Sequence, residues 1–138
     1  MKTDFEKWFI SNHLTKEGNN YYFTVGARTV YVFFEGQRST TSDTFINMRV
    51  ISYDRERLAT NARYHTGAYR FYIYGINALL PDKITDTLSN MLNEIIIEEI
   101  GRFRIHTGTV SNLQRGNKFY GSSHYENIVS LDYQYWEQ

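Results

Sequence analysis

The spacing of apolar residues changes period several times along this chain, and each change marks an element. Phe5, Trp8 and Phe9 recur at i, i+3 and i+4, which predicts a helix from Thr3 to Asn12 whose apolar stripe packs on a sheet. Thr3-Asp4-Phe5-Glu6 has the form of a capping box, with a hydroxyl and a carboxylate placed to satisfy free amides at the helix start. Lys16 to Asn20 reads as a loop. Tyr21 to Val25 and Arg28 to Glu35 are dense in β-branched and aromatic residues, with a bend at Gly26-Ala27, so they form a hairpin or one long kinked strand. Gly36 to Asp43 is small and polar and predicts a loop. Thr44 to Tyr53 sets Ile46, Met48 and Val50 against Asn47, Arg49 and Ser52, the alternation of a strand with one buried side.

Asp54 to Gly67 has few large apolar groups and predicts a second long loop, with room for a helical turn at Arg57 to Ala62. Ala68 to Tyr74, bracketed by Gly67 and Gly75, is an aromatic strand. The segment Pro81 to Ile100 then carries Ile84, Leu88, Met91, Leu92, Ile95 and Ile96 on one broad face, with Asp82 near its start and Gly101 as its stop, and predicts one long helix. Arg102 to Val110 alternates Phe103, Ile105, Thr107 and Thr109 as a strand. Ser111 to Tyr125 predicts a third loop, and Asn127 to Trp136 closes the chain as a strand with Val129, Leu131, Tyr133 and Tyr135 on one face. Strands grouped beside two helices imply an α+β fold: a single twisted antiparallel or mixed sheet with two helices packed on one face, in a single domain spanning 1–138.

Composition narrows the function. Fifteen basic residues balance fifteen acidic ones, which argues against broad phosphate neutralisation of a nucleic acid. The absence of cysteine removes disulfides, thiolate zinc sites and thiol nucleophiles, and fits folding in a reducing compartment. The acidic start and the lack of a long apolar run lead us to expect a soluble chain with no leader and no membrane partner. With 12 Tyr, 9 Phe and one Pro, the chain suits pleated strands and surfaces where a tyrosine offers apolar area with a polar tip.

Candidate chemistry is sparse. His13, His65, His106 and His124 have no metal-ligand spacing, although His106 and His124 fall on adjacent elements, and no metal or cofactor is expected. Ser123 beside His124 is no dyad, because neighbours on an extended chain point opposite ways. Glu94, Glu98 and Glu99 read as the solvated side of the long helix. No catalytic residue is therefore expected. Two groups stand out as interface candidates: Arg55, Arg57 and Arg63, whose local positive bias a ring would multiply, and Phe119, Tyr120 and Tyr125, aromatic anchors in a glycine-rich segment.

The order of elements resembles the tail terminator (tail completion) proteins of long-tailed bacteriophages. The likeness rests on the helix Thr3 to Asn12, the strands Arg28 to Glu35 and Thr44 to Tyr53, a long loop, and the strand Tyr69 to Gly75. It continues with Tyr74-Gly75-Ile76-Asn77 running into Pro81 to Leu88, and closing strands that end in Tyr133-Gln134-Tyr135-Trp136. The resemblance implies a non-enzymatic virion protein assembled in host cytoplasm. It would form a ring homo-oligomer, a hexamer, that ends tail tube growth and joins the tail tube protein to the head connector, with DNA met only in passage through the lumen. A second reading is a small α+β ligand binder or enzyme with a pocket between sheet and long helix, where Tyr72, Tyr74 and Tyr133 would supply hydroxyls.

Overall fold

A computed structural model of the protein describes residues 4–35, 37, 43–59, 62–93, 96–100, 103–118 and 124–137. The elements run α1 (Asp4–His13), β1 (Thr15–Glu17), β2 (Asn20–Val25), β3 (Arg28–Phe33), β4 (Thr44–Ala59), β5 (Ala62–Gly75), α2 (Leu79–Leu92), β6 (Ile96–Ile100), β7 (Phe103–Lys118) and β8 (Tyr125–Glu137). All eight described strands join one sheet in the order β1-β2-β3-β4-β5-β8-β7-β6. Only β3 and β4 pair in parallel, so the sheet is mixed and the fold is α+β.

One face of the sheet forms the core. Val30 and Val32 on β3, Ile46 and Met48 on β4, Tyr69, Phe71 and Ile73 on β5, and Val129, Leu131 and Tyr133 on β8 are buried with Phe5 and Phe9 of α1 and Ile84, Leu88 and Leu92 of α2. Both helices therefore cover the same face, and the alternation read along β4 and β8 selects the residues that meet them. The capping residue Thr3 lies outside the described residues.

α2 is shorter than its apolar pattern predicts. It starts where the Asn77 side-chain oxygen accepts hydrogen bonds from the Leu79 and Leu80 amides, at 3.0 and 3.1 Å. It stops at Leu92, whose carbonyl accepts the Thr107 hydroxyl, and Asn93 turns into extended backbone. Ile96–Ile100 becomes β6 and pairs with β7. Isoleucines that fit a helical stripe also favour a pleated strand, and a neighbouring ladder decides between the two. Ile95, the glycine stop at 101 and Glu94 lie outside the described residues; Glu98 and Glu99 belong to β6, not to a helix face.

Parts of three predicted loops are strands. Lys16 and Glu17 belong to β1, which pairs with β2, and the β2–β3 segment is a hairpin rather than one kinked strand. Of Asp54 to Gly67, the residues 54–59 lie in β4 and 62–67 in β5, and the two strands are paired from Ser52↔Ala68 to Ala59↔Ala62, while 60 and 61 lie outside the described residues. Ser111 to Lys118 continues β7 along β8. These stretches are polar and lack an apolar alternation, and backbone pairing with a neighbouring strand makes them strands. Of Gly36 to Asp43, only Gln37 and Asp43 are described; Gln37 bonds the Phe34 amide and the Asn19 carbonyl, and Asp43 lies 3.7 Å from Arg28.

Gly67 and Gly75 lie within β5 and permit close approach. A Cβ on Gly67 would collide with the Tyr133 hydroxyl oxygen and sit 2.5 to 2.7 Å from its ring carbons; that ring stacks at 5.0 Å on Tyr69 and at 6.0 Å on Phe5. A Cβ on Gly75 would meet Leu80 at 2.7 Å, so this glycine lets α2 begin directly against the end of β5.

Leu88→Ala and Leu92→Ala, each at a site with no exposure, are expected to cost roughly 2–5 kcal/mol. Gly67→Ala should cost about 1–3 kcal/mol, because the buried Tyr133 ring must move. Denaturant melts measure all three, and a Gly67→Ala protein as stable as the wild type would mean that the Tyr133 ring is free to swing aside.

Candidate interaction surfaces

The register of the sheet gathers residues that are far apart in sequence. On the hairpin, Arg57 lies opposite Arg63 and Arg55 opposite His65, so the three arginines singled out from the sequence fall on paired strand positions rather than in a loop. Across β5, Arg63 is opposite Glu137 and His65 opposite Tyr135.

The aromatic candidates are not brought together with them. Tyr125 opens β8, half-buried and paired with Gly75 and Lys118, at the end of the sheet remote from the hairpin tip. Phe119 and Tyr120 lie outside the described residues. His106 pairs with Gln134, whereas His124 precedes β8, so strand length places these histidines at opposite ends of β8, ~30 Å apart. Among the described residues no group of three His, Cys, Asp or Glu side chains is placed to hold a metal ion.

The face away from the helices carries a second aromatic cluster. Phe33, Phe45 and Tyr74 are buried there, with Tyr31 and Tyr72 packed beside them, and Phe45 lies 4.7 Å from Tyr74 and 5.6 Å from the His124 ring. Burial, reinforced by a hydrogen bond to the Glu126 carboxylate and by its charge, raises the Tyr74 hydroxyl well above the ordinary tyrosine value; Arg49 opposes this shift weakly. Arg49 lies directly opposite Arg70 on the same face, and Asn47 opposite Tyr72. Arg70 Nε and Asn47 Oδ1 are buried with no hydrogen-bond partner among the described residues.

This geometry corrects the pocket reading. Tyr133 faces the helices, but Tyr72 and Tyr74 lie on the opposite face, so the three hydroxyls do not converge between sheet and helix. That interface is instead filled by Ile84, Leu88 and Leu92 and closed by a polar node. Asn127, fully buried on β8, donates to Asp82 at 3.0 Å and Thr85 at 3.2 Å on α2 and accepts from the Gly116 amide of β7 at 2.7 Å. The node satisfies its members and fixes α2 against two strands, a structural role. Its signal in the sequence is that position 127 shares the parity of the buried residues 129, 131 and 133. No sequence signal marks Arg49↔Arg70, because the opposition exists only once the register is known.

No protein-family model and no curated protein matches the chain. Four solved chains match it in structure; one of them covers 75% of this chain and 77% of its own length at 12% identity, with a TM-score of 0.57, a likeness of fold alone.

Because native Tyr74 holds its proton more tightly than the unfolded chain does, its contribution to stability is intact below the unfolded value near 10.0 and is lost as the pH rises through the higher native value. In an ultraviolet titration of the folded protein, Tyr74→Phe should remove the ionisation at highest pH. Loss of an early step instead would show that the hydroxyl is solvated.

Proposed function

We propose that this protein is a structural ring subunit of a bacteriophage tail, a terminator that ends tube growth and meets the head connector. The resemblance in element order carries the specific role. The observation that supports assembly is a pair of strand edges at one end of the sheet. β3 pairs with β4 only from Phe45 to Asn47, so among the described residues no strand covers the β3 side of β4 from Met48 to Ala59. At the opposite edge β6 is the last strand. Exposed backbone donors and acceptors on such edges invite another chain.

Glu35 blunts part of the first edge, its carboxylate accepting the Val50 amide at 3.0 Å, and leaves the edge beyond it for contact. In this reading the subunit is non-enzymatic, sits at the end of the virion tail, and is made in the host cytoplasm. Light scattering over a concentration series, paired with electron microscopy, tests it: a closed ring of defined mass is expected, and a strict monomer at every concentration overturns the reading.

Replacing Arg55, Arg57 and Arg63 together by Ala should leave the melting temperature near that of the wild type, since the backbone ladder that pairs β4 with β5 is unchanged. It should nevertheless lower the yield of tails joined to heads in complementation of a strain lacking the gene. Full infectivity from the folded triple variant would remove these arginines from the partner surface.

A further inference from the structure

We infer that the sheet face turned away from the helices binds an acidic segment of a partner protein, with a carboxylate held between Arg49 and Arg70. The inference goes beyond the ring reading and stands whether or not copies close into a ring. Arg49 on β4 and Arg70 on β5 are directly opposed, so their side chains rise on one face from Cα atoms about 4.5–5.5 Å apart. Both are half-buried, and among the described residues neither guanidinium forms an ion pair. Arg49 Nη1 donates to the Met48 carbonyl at 3.3 Å, whereas Arg70 Nε is buried with no acceptor among the described residues. Like charges opposed in this way destabilise a sheet, and a buried donor that has lost water without gaining a partner adds to the cost. One carboxylate set between the two forks offsets both.

The described neighbours of the pair do not supply that anion. Glu35, exposed at the β4 edge, accepts the Val50 amide; Glu126 is hydrogen-bonded to the Tyr74 hydroxyl; Asp132, exposed on β8, lies opposite Ala68. These three carboxylates surround the arginines with negative charge, which disfavours a polyanion such as a nucleic acid and tolerates a single anionic group. The next pair along the ladder narrows the ligand further. Asn47, opposite Tyr72 on the same face, has its Oδ1 buried with no donor among the described residues. That atom needs an N–H. A peptide brings one in its backbone beside a carboxylate side chain, whereas a phosphate diester carries oxygens that only accept. Arg70 and Asn47 are both half-buried, so a change of rotamer carries these atoms to an incoming group.

The test is a titration of the full chain into a dye-labelled Glu-Gly-Glu-Gly-Glu peptide, followed by fluorescence anisotropy. The same peptide with Gln for Glu and a dye-labelled thymidine oligonucleotide serve as the comparison probes. The acidic peptide is expected to bind in preference to both. Arg49→Gln and Arg70→Gln should each weaken its binding on the order of tenfold or more, the loss of a charge-assisted hydrogen bond. Arg70→Lys, which keeps the charge and removes the fork, replaces Arg70→Gln should that variant fail to fold. Without peptide, Arg49→Gln should melt no lower than the wild type, since the opposition of like charges is gone. An Arg49→Gln protein that melts well below the wild type would show a guanidinium already satisfied within the chain and would overturn the inference. So would failure of the acidic peptide to bind, binding that the substitutions leave unchanged, or tighter binding of the oligonucleotide. None of these results bears on the ring reading, which the mass in solution decides.

Discussion

The structure depends on the ladder between β5 and β8, which runs without a register shift from Arg63↔Glu137 to Gly75↔Tyr125. Because side chains alternate with a period of two, that single register decides which residues of both strands face the helices. It sets Gly67 under the Tyr133 ring, Phe71 beside Val129 and Ile73 beside Asn127. A slip of one residue would expose the core positions and bury Arg70, Tyr72 and Asp132. The helices add to a choice already made by the pair.

That dependence explains how much was legible in the sequence. Stripes that repay burial were readable: Phe5, Phe9, Ile84, Leu88, Leu92, Ile46, Met48, Val129 and Leu131 all lie in the core. The fold class and the shared helix face followed from them. Segments held by backbone pairing were not readable, because Asp54 to Gly67 and Ser111 to Lys118 are polar and signal a loop locally. The end of α2 failed for a related reason: Ile96 continues the helical stripe but is β-branched and suits a strand equally, and β7 supplies the deciding partner.

The interface candidates separate in the same way. Arg55, Arg57 and Arg63 were chosen for charge in a supposed loop, yet the hairpin gives them a more exact relation, with Arg57 opposite Arg63. Tyr125 was chosen with Phe119 and Tyr120, but it opens a central strand. The Arg49↔Arg70 opposition and the Asn127 node depend on contacts between distant segments, and one strand read alone does not contain them.

Where the irregularities fall has its own consequence. Register shifts occur in β4 between Val50 and Ser52 and between Arg57 and Ala59, and in β7 after Thr107, Asn112 and Gln114, while β5 and β8 have none against each other. Each such shift accommodates an extra residue on one strand without turning its neighbours inside out. β4 and β7, with β6 between Ile97 and Ile100, already carry such extra residues, so a one-residue change of length there would leave the β5–β8 pair in step.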